Sequence, residues 1–129
     1  MERERAVELI RPRLDRESDL VAAWLFGSVA RGEERAGSDV DLAILRPTPS
    51  SLDTLLGLQA DLTGLLGVEV QVVDVRSAPV DLVHRVLRDG VLLVDRARGA
   101  RIAFEVDARN RYFDMRPILL EYRRARART

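Results

Sequence analysis

Three short groups of residues carry the polar chemistry of this sequence. Gly27-Ser28 directly follows the apolar run 20–26, and Arg31 comes three residues later. Asp39-Val40-Asp41 opens a second apolar run, and Asp74 stands alone within Val72-Val73-Asp74-Val75. A glycine and serine where a strand gives way to a helix leave backbone N–H groups free to meet an anion, and glycine lets a phosphate approach closely. Arg31 would share that helical face and reach the same phosphate chain. Asp39 and Asp41, two apart on a strand, would point to one side with Cα atoms roughly 6–7 Å apart. Carboxylates held that way repel unless a cation lies between them. Mg²⁺ accepts one or two carboxylates together with substrate phosphates. Asp74, in an apolar strand, needs a metal or a counter-ion. Each group alone also has a plainer role: an ordinary turn, an acidic strand edge, a salt bridge to an arginine such as Arg76.

Periodicity supplies the elements that must position these residues. Ala6, Leu9, Ile10 and Leu14 give a helix over about 2–18, with Pro12 favouring a kink or an early break. Residues 20–26 read as a buried strand, 29 to about Glu34 as a short helix, and 39–45 as a second strand. A helix starts at Pro49-Ser50-Ser51, with Leu52, Leu55, Leu56, Leu62 and Leu65 at helical spacing, and ends near Gly64 or Gly67. Residues 68–75 are the clearest strand. A helix from Ser77-Ala78-Pro79 then presents Leu82, Val83, Val86 and Leu87, and 91–94 form a last strand. From Arg98 the chain reads as helical to near Arg128, bent or split at Pro117. Alternating strands and helices make an α/β domain: a small mixed sheet packed with helices, plus a C-terminal helix. Residues 1–99 are expected to form the core and 100–129 a helical extension of the same domain.

Composition narrows the chemistry further. The 129 residues fit one domain, and 47% apolar against 33% charged residues suits a packed core rather than a disordered chain. No cysteine is present, which excludes thiolate metal and redox sites, and the sole histidine, His84, excludes a multi-histidine zinc site. All 21 basic residues are arginine, so lysine nucleophiles and Walker-type lysines are excluded. The formal net charge is +0, from which no direct nucleic-acid binding is expected. No apolar run reaches the roughly 20 residues of a membrane span, and a cytoplasmic location is expected. The charge is uneven: residues 1–99 carry 13 Arg and 17 acids, whereas 100–129 carry 8 Arg and 4 acids. That C-terminal excess is either a solvated helix end or a surface for an acidic partner.

The order Gly-Ser, ten residues, Asp-x-Asp, then a later apolar strand holding an aspartate resembles the DNA polymerase β-type nucleotidyltransferases. The stretch Gly27-Ser-Val-Ala-Arg-Gly-Glu-Glu-Arg-Ala-Gly-Ser-Asp-Val-Asp-Leu42 is similar, more narrowly, to the minimal nucleotidyltransferases, or MNT proteins, encoded beside HEPN-domain toxins. Phe104-Glu105 and Tyr112-Phe113-Asp114 look like the final helix of such antitoxins. The resemblance implies the polymerase β-type fold and transfer of AMP from ATP to a hydroxyl, a tyrosine of a cognate HEPN ribonuclease toxin, within a hetero-oligomer. It implies two Mg²⁺ ions held by Asp39, Asp41 and Asp74, with Asp74 as third carboxylate, and a triphosphate held by Gly27, Ser28 and Arg31. The alternative is a non-catalytic antitoxin that binds and masks the toxin. A transferase for a small hydroxyl compound is disfavoured, because so short a chain has few walls for such a pocket. His84 reads as a structural residue and Trp24 and Phe26 as core or site-wall residues, whereas Arg35, Arg46 and Arg76, near the motifs, read as surface ion-pair residues with contact to nucleotide or acceptor as the alternative.

Overall fold

The computed structural model describes residues 1–33, 35 and 38–127. Strands β1 (Ala22–Phe26), β2 (Val40–Leu45), β3 (Val70–Asp74) and β4 (Val91–Asp95) form one sheet in the order β3-β2-β1-β4. β1 runs antiparallel to β2 and to β4, and β3 runs parallel to β2, so the sheet is mixed as expected. A parallel neighbour requires a crossover, and α3 (Leu52–Leu66) provides it. The remaining helices are α1 (Arg3–Leu14), α2 (Gly27–Arg31), α4 (Val80–Asp89) and α5 (Arg98–Ala127).

Local chemistry sets most boundaries. Ser51 caps α3 by accepting a hydrogen bond from the Thr54 N–H at 3.2 Å, and Gly67 ends it in the left-handed region at φ 73°. α1 ends two residues beyond Pro12. The buried face of α3 is Leu58, Leu62 and Leu66, whereas Leu52, Leu56 and Leu65 of the expected stripe are at least half exposed. In a segment this rich in leucine, periodicity alone does not choose the face. Pro117 does not split α5, which is one helix of 30 residues. Glu34 and Arg128, the expected ends of two helices, lie outside the described residues.

The sheet is covered on both faces. Ala23, Leu25, Leu42, Ile44 and Val70 pack with Ile10, Leu14, Leu58 and Leu62 of α1 and α3. Ala22, Trp24, Ala43, Leu45 and Val75 pack with Val83 and Val86 of α4 and with Phe104 and Ala108 of α5. The joint between α4 and α5 is completed by His84 stacked on Tyr112, with ring centroids 3.6 Å apart and planes 3° from parallel. Side chains also reach the two sheet edges. On β3, the Val70 and Val72 N–H groups donate to Thr63 Oγ1 and Gln59 Oε1 of α3, both at 3.0 Å. On β4, the Leu93 carbonyl accepts from Arg11 Nε at 3.2 Å.

Candidate active site

The site is built where β1 ends and β2 begins. Antiparallel pairing sets Phe26 opposite Asp41 and so brings the turn after β1 against the Asp-x-Asp segment. Gly27 makes that turn with φ +78°, a conformation costly for any residue with a Cβ. A Cβ built on Gly27 would lie 2.2 Å from Asp41 Oδ2. The glycine therefore serves twice: it turns the chain, and it leaves the space that the Asp41 carboxylate fills. Ser28 follows in the first turn of α2, half-buried.

Asp39 is exposed immediately before β2. Strand alternation puts it on the same side as Asp41. Burial raises the Asp41 carboxyl above its usual value, the Asp39 charge pushes it further up, and Arg31 opposes both. Arg31 is exposed, and its Nε holds Glu33 Oε2 at 3.1 Å. The structure thus brings together Gly27, Ser28, Arg31, Asp39 and Asp41.

It does not bring Asp74 to them. Asp74 pairs in register with Ile44, three residues along the strand from Asp41. Three residues are about 10 Å of strand, and an odd step reverses the face. Asp74 is buried at 3% exposure. Its Oδ2 accepts from the Ser50 N–H at 2.5 Å and its Oδ1 from the Arg76 N–H at 2.8 Å. The expected third carboxylate is instead a brace, tying the loop before α3 to the turn after β3. Ser50 Oγ accepts in turn from Arg46 at 2.8 Å. Arg46 is itself buried and paired with Asp19 and Glu17 at 3.0 and 3.1 Å, so it is an interior ion-pair residue rather than a surface one.

The residue that pairs with Asp41 on β3 is Gln71. It is exposed and lies on the Asp41 face of the sheet. Its signal in the sequence is weak: a polar residue second in its strand, as Asp41 is second in β2. Only the parallel register turns that coincidence into a neighbour.

Among the described residues, no three His, Cys, Asp or Glu side chains gather where they could hold a metal. The donor set present is two carboxylates, one of them half-buried and repelled by the other. That set fits one Mg²⁺ completed by phosphate oxygens. It does not supply the three carboxylates of the expected two-ion site.

Other expected residues fall elsewhere. Trp24 is core, Phe26 is a partly buried neighbour of that core, and Arg76 lies over the Phe104 ring at 5.6 Å. A cleft of about 270 Å³ between the 47–49 loop, α4 and α5 contains none of the predicted site residues except the flanking Arg76. No described helix is long and apolar enough to cross a membrane.

Residues 8–99 match the model of the polymerase beta nucleotidyltransferase family. A Methanocaldococcus jannaschii protein, named as a candidate protein adenylyltransferase, is 36% identical over 70 residues, covering 54% of this chain and 70% of the relative. Among solved structures, a chain of a toxin–antitoxin with AMP-PNP superposes with a TM-score of 0.73 at 24% identity, covering 95% of this chain and 98% of that one. A chain of the tri-AMPylated Shewanella oneidensis HEPN toxin in complex with MNT antitoxin gives 0.68 at 22% identity, covering 90% and 98%. These last two likenesses establish a shared fold over nearly the whole length.

Proposed function

The chain belongs to the polymerase β nucleotidyltransferase family, and from that premise we propose that it is an antitoxin that transfers AMP from ATP to a hydroxyl of a HEPN-domain ribonuclease toxin. The acceptor we favour is a tyrosine, and the setting is a cytoplasmic complex of the two proteins. The observation that carries this reading is the seating of Asp41 against Gly27. It joins a phosphate-holding turn to a cation-holding carboxylate pair at one point. The M. jannaschii relative and the AMPylated HEPN complex support the choice of AMP and of a protein acceptor.

The residues divide the work. The Gly27–Ser28 backbone, the Ser28 hydroxyl and Arg31 would hold the β- and γ-phosphates and stabilise charge growing on departing pyrophosphate. Asp39 and Asp41 would hold Mg²⁺, which when bound neutralises phosphate charge. The acceptor oxygen forms a bond to the α-phosphorus while the bond to the pyrophosphate oxygen breaks.

Masking without catalysis is the second reading. It is favoured by α5, which has no buried residue and exposes Phe113, Ile118 and Tyr122 at about 60% each. Label transfer from α-labelled ATP to the HEPN partner separates the two. The Asp39→Asn, Asp41→Asn double variant should lower transfer about a hundredfold or more, a loss of several kcal/mol of charge stabilisation, and should no longer neutralise the toxin while still binding it. Full neutralisation by that variant would establish masking.

A further inference from the structure

We infer that Gln71, not Asp74, occupies the third position of the transfer site, so that this chain works with two carboxylates and an amide. The inference rests on the transferase reading above and deepens it. The parallel register places Gln71 beside Asp41, one strand spacing of about 4.8 Å away and on the same face. Asp74 is three residues further on, on the opposite face, with both carboxylate oxygens engaged by the Ser50 and Arg76 N–H groups. No other acid makes up the number, since no trio of metal-ligating side chains exists among the described residues.

The difference is chemical. A carboxylate at this position would bring a full negative charge for a second cation and a base for the proton of the attacking hydroxyl. The Gln71 amide oxygen brings a dipole only and does not take up a proton near neutral pH. In the chain as it stands, the acceptor oxygen bonds to the α-phosphorus, pyrophosphate departs with the electron pair of the broken bond, and the hydroxyl proton passes to water. Proton removal is then the step the protein does least to help. A chain of this kind is a slow transferase that completes few turnovers on a tightly bound acceptor.

The test counts cations first, without any acceptor. Mn²⁺ is titrated by electron paramagnetic resonance into the full chain saturated with α,β-methylene ATP, whose α–β bridge is not cleaved. We expect one tightly held Mn²⁺ per nucleotide-bound chain in the native protein, two in Gln71→Asp, and one still in Asp74→Asn. In label transfer to the HEPN partner, Q71D should be faster by about tenfold or more, within reach of the 10²–10⁴ that a positioned base contributes. Gln71 is exposed, so Q71D is expected to fold, and its circular dichroism checks this. Two ions in the native chain, falling to one in D74N, would overturn the proposal, as would a Q71D that holds one ion and transfers no faster. Transfer to no protein by any variant, with the cation counts as expected, would sink the transferase reading and leave the placement of Gln71 standing.

Discussion

The tightest coupling between sequence and site is a single missing Cβ. Gly27→Ala puts a methyl 2.2 Å from Asp41 Oδ2 and forces a left-handed backbone that costs roughly 1–2 kcal/mol on its own. The carboxylate must move, so nucleotide affinity in the presence of Mg²⁺ should fall about tenfold or more, read by calorimetric titration. Asp41 makes the opposite kind of prediction. Burial first, and Asp39 second, raise its carboxyl above the ordinary value of 3.8. The folded protein therefore holds that proton to higher pH than the unfolded chain does. Above this window the ionised group destabilises the fold; below 3.8 the penalty is absent. Asp41→Asn should raise the thermal midpoint of the ligand-free protein by a few degrees at pH 7 while abolishing transfer, a trade of stability for function. These two residues were legible in the sequence because a Gly-Ser turn and an Asp-x-Asp pair are local patterns. Asp74 was not, because an acid in an apolar strand announces only that it needs partners. Whether those are a metal or backbone N–H groups depends on which way the strand faces, and one residue of register decides that.

Elements were legible in kind and order, because valine-rich strands and leucine-rich helices differ in period. What failed was the rotation of α3 about its axis, since leucine recurs on more than one side of it, and, of the bend or split expected at Pro117, the split. The braces between elements were invisible for the same reason as Asp74: they join residues far apart in the chain. Asp74→Asn should destabilise the fold by about 1.5–3 kcal/mol, the range for hydrogen bonds to a charged group, with local hydrogen exchange rising first near residues 46–51. The α4–α5 joint is sensitive to pH. Burial against Tyr112 lowers the His84 pKa, Arg88, Arg109 and Arg116 lower it further, and only Asp89 raises it. The unfolded chain thus takes up the proton first as pH falls below about 6.5. Stability is complete above that value and is lost as pH drops through the lower folded pKa. The thermal midpoint should decline as pH falls below about 6.5, and His84→Phe, which keeps the stacked ring, should flatten that decline.

At the scale of the whole molecule, the body and α5 divide the tasks. On the proposed reading the body would carry the reacting residues, and α5, about 45 Å long with no buried residue, would offer its exposed Phe113, Ile118 and Tyr122 to the partner. Replacing those three by serine should weaken toxin binding by about a hundredfold or more in a titration, since apolar anchors of this size dominate interfaces, and leave nucleotide binding unchanged. Composition had shown a domain with a core and an Arg-rich end, but not that among the described residues the large exposed apolar side chains lie on two helices, three on α3 and seven on α5. The edges of the sheet have a consequence of their own. Gln59 and Thr63 occupy two outward N–H groups of β3, those of Val72 and Val70, and Arg11 takes the Leu93 carbonyl of β4, so each rim is partly blocked as a template for a foreign strand. Strand-to-strand polymerisation is thereby hindered, and copies waiting without a partner are left more to the side chains their helices carry to choose company.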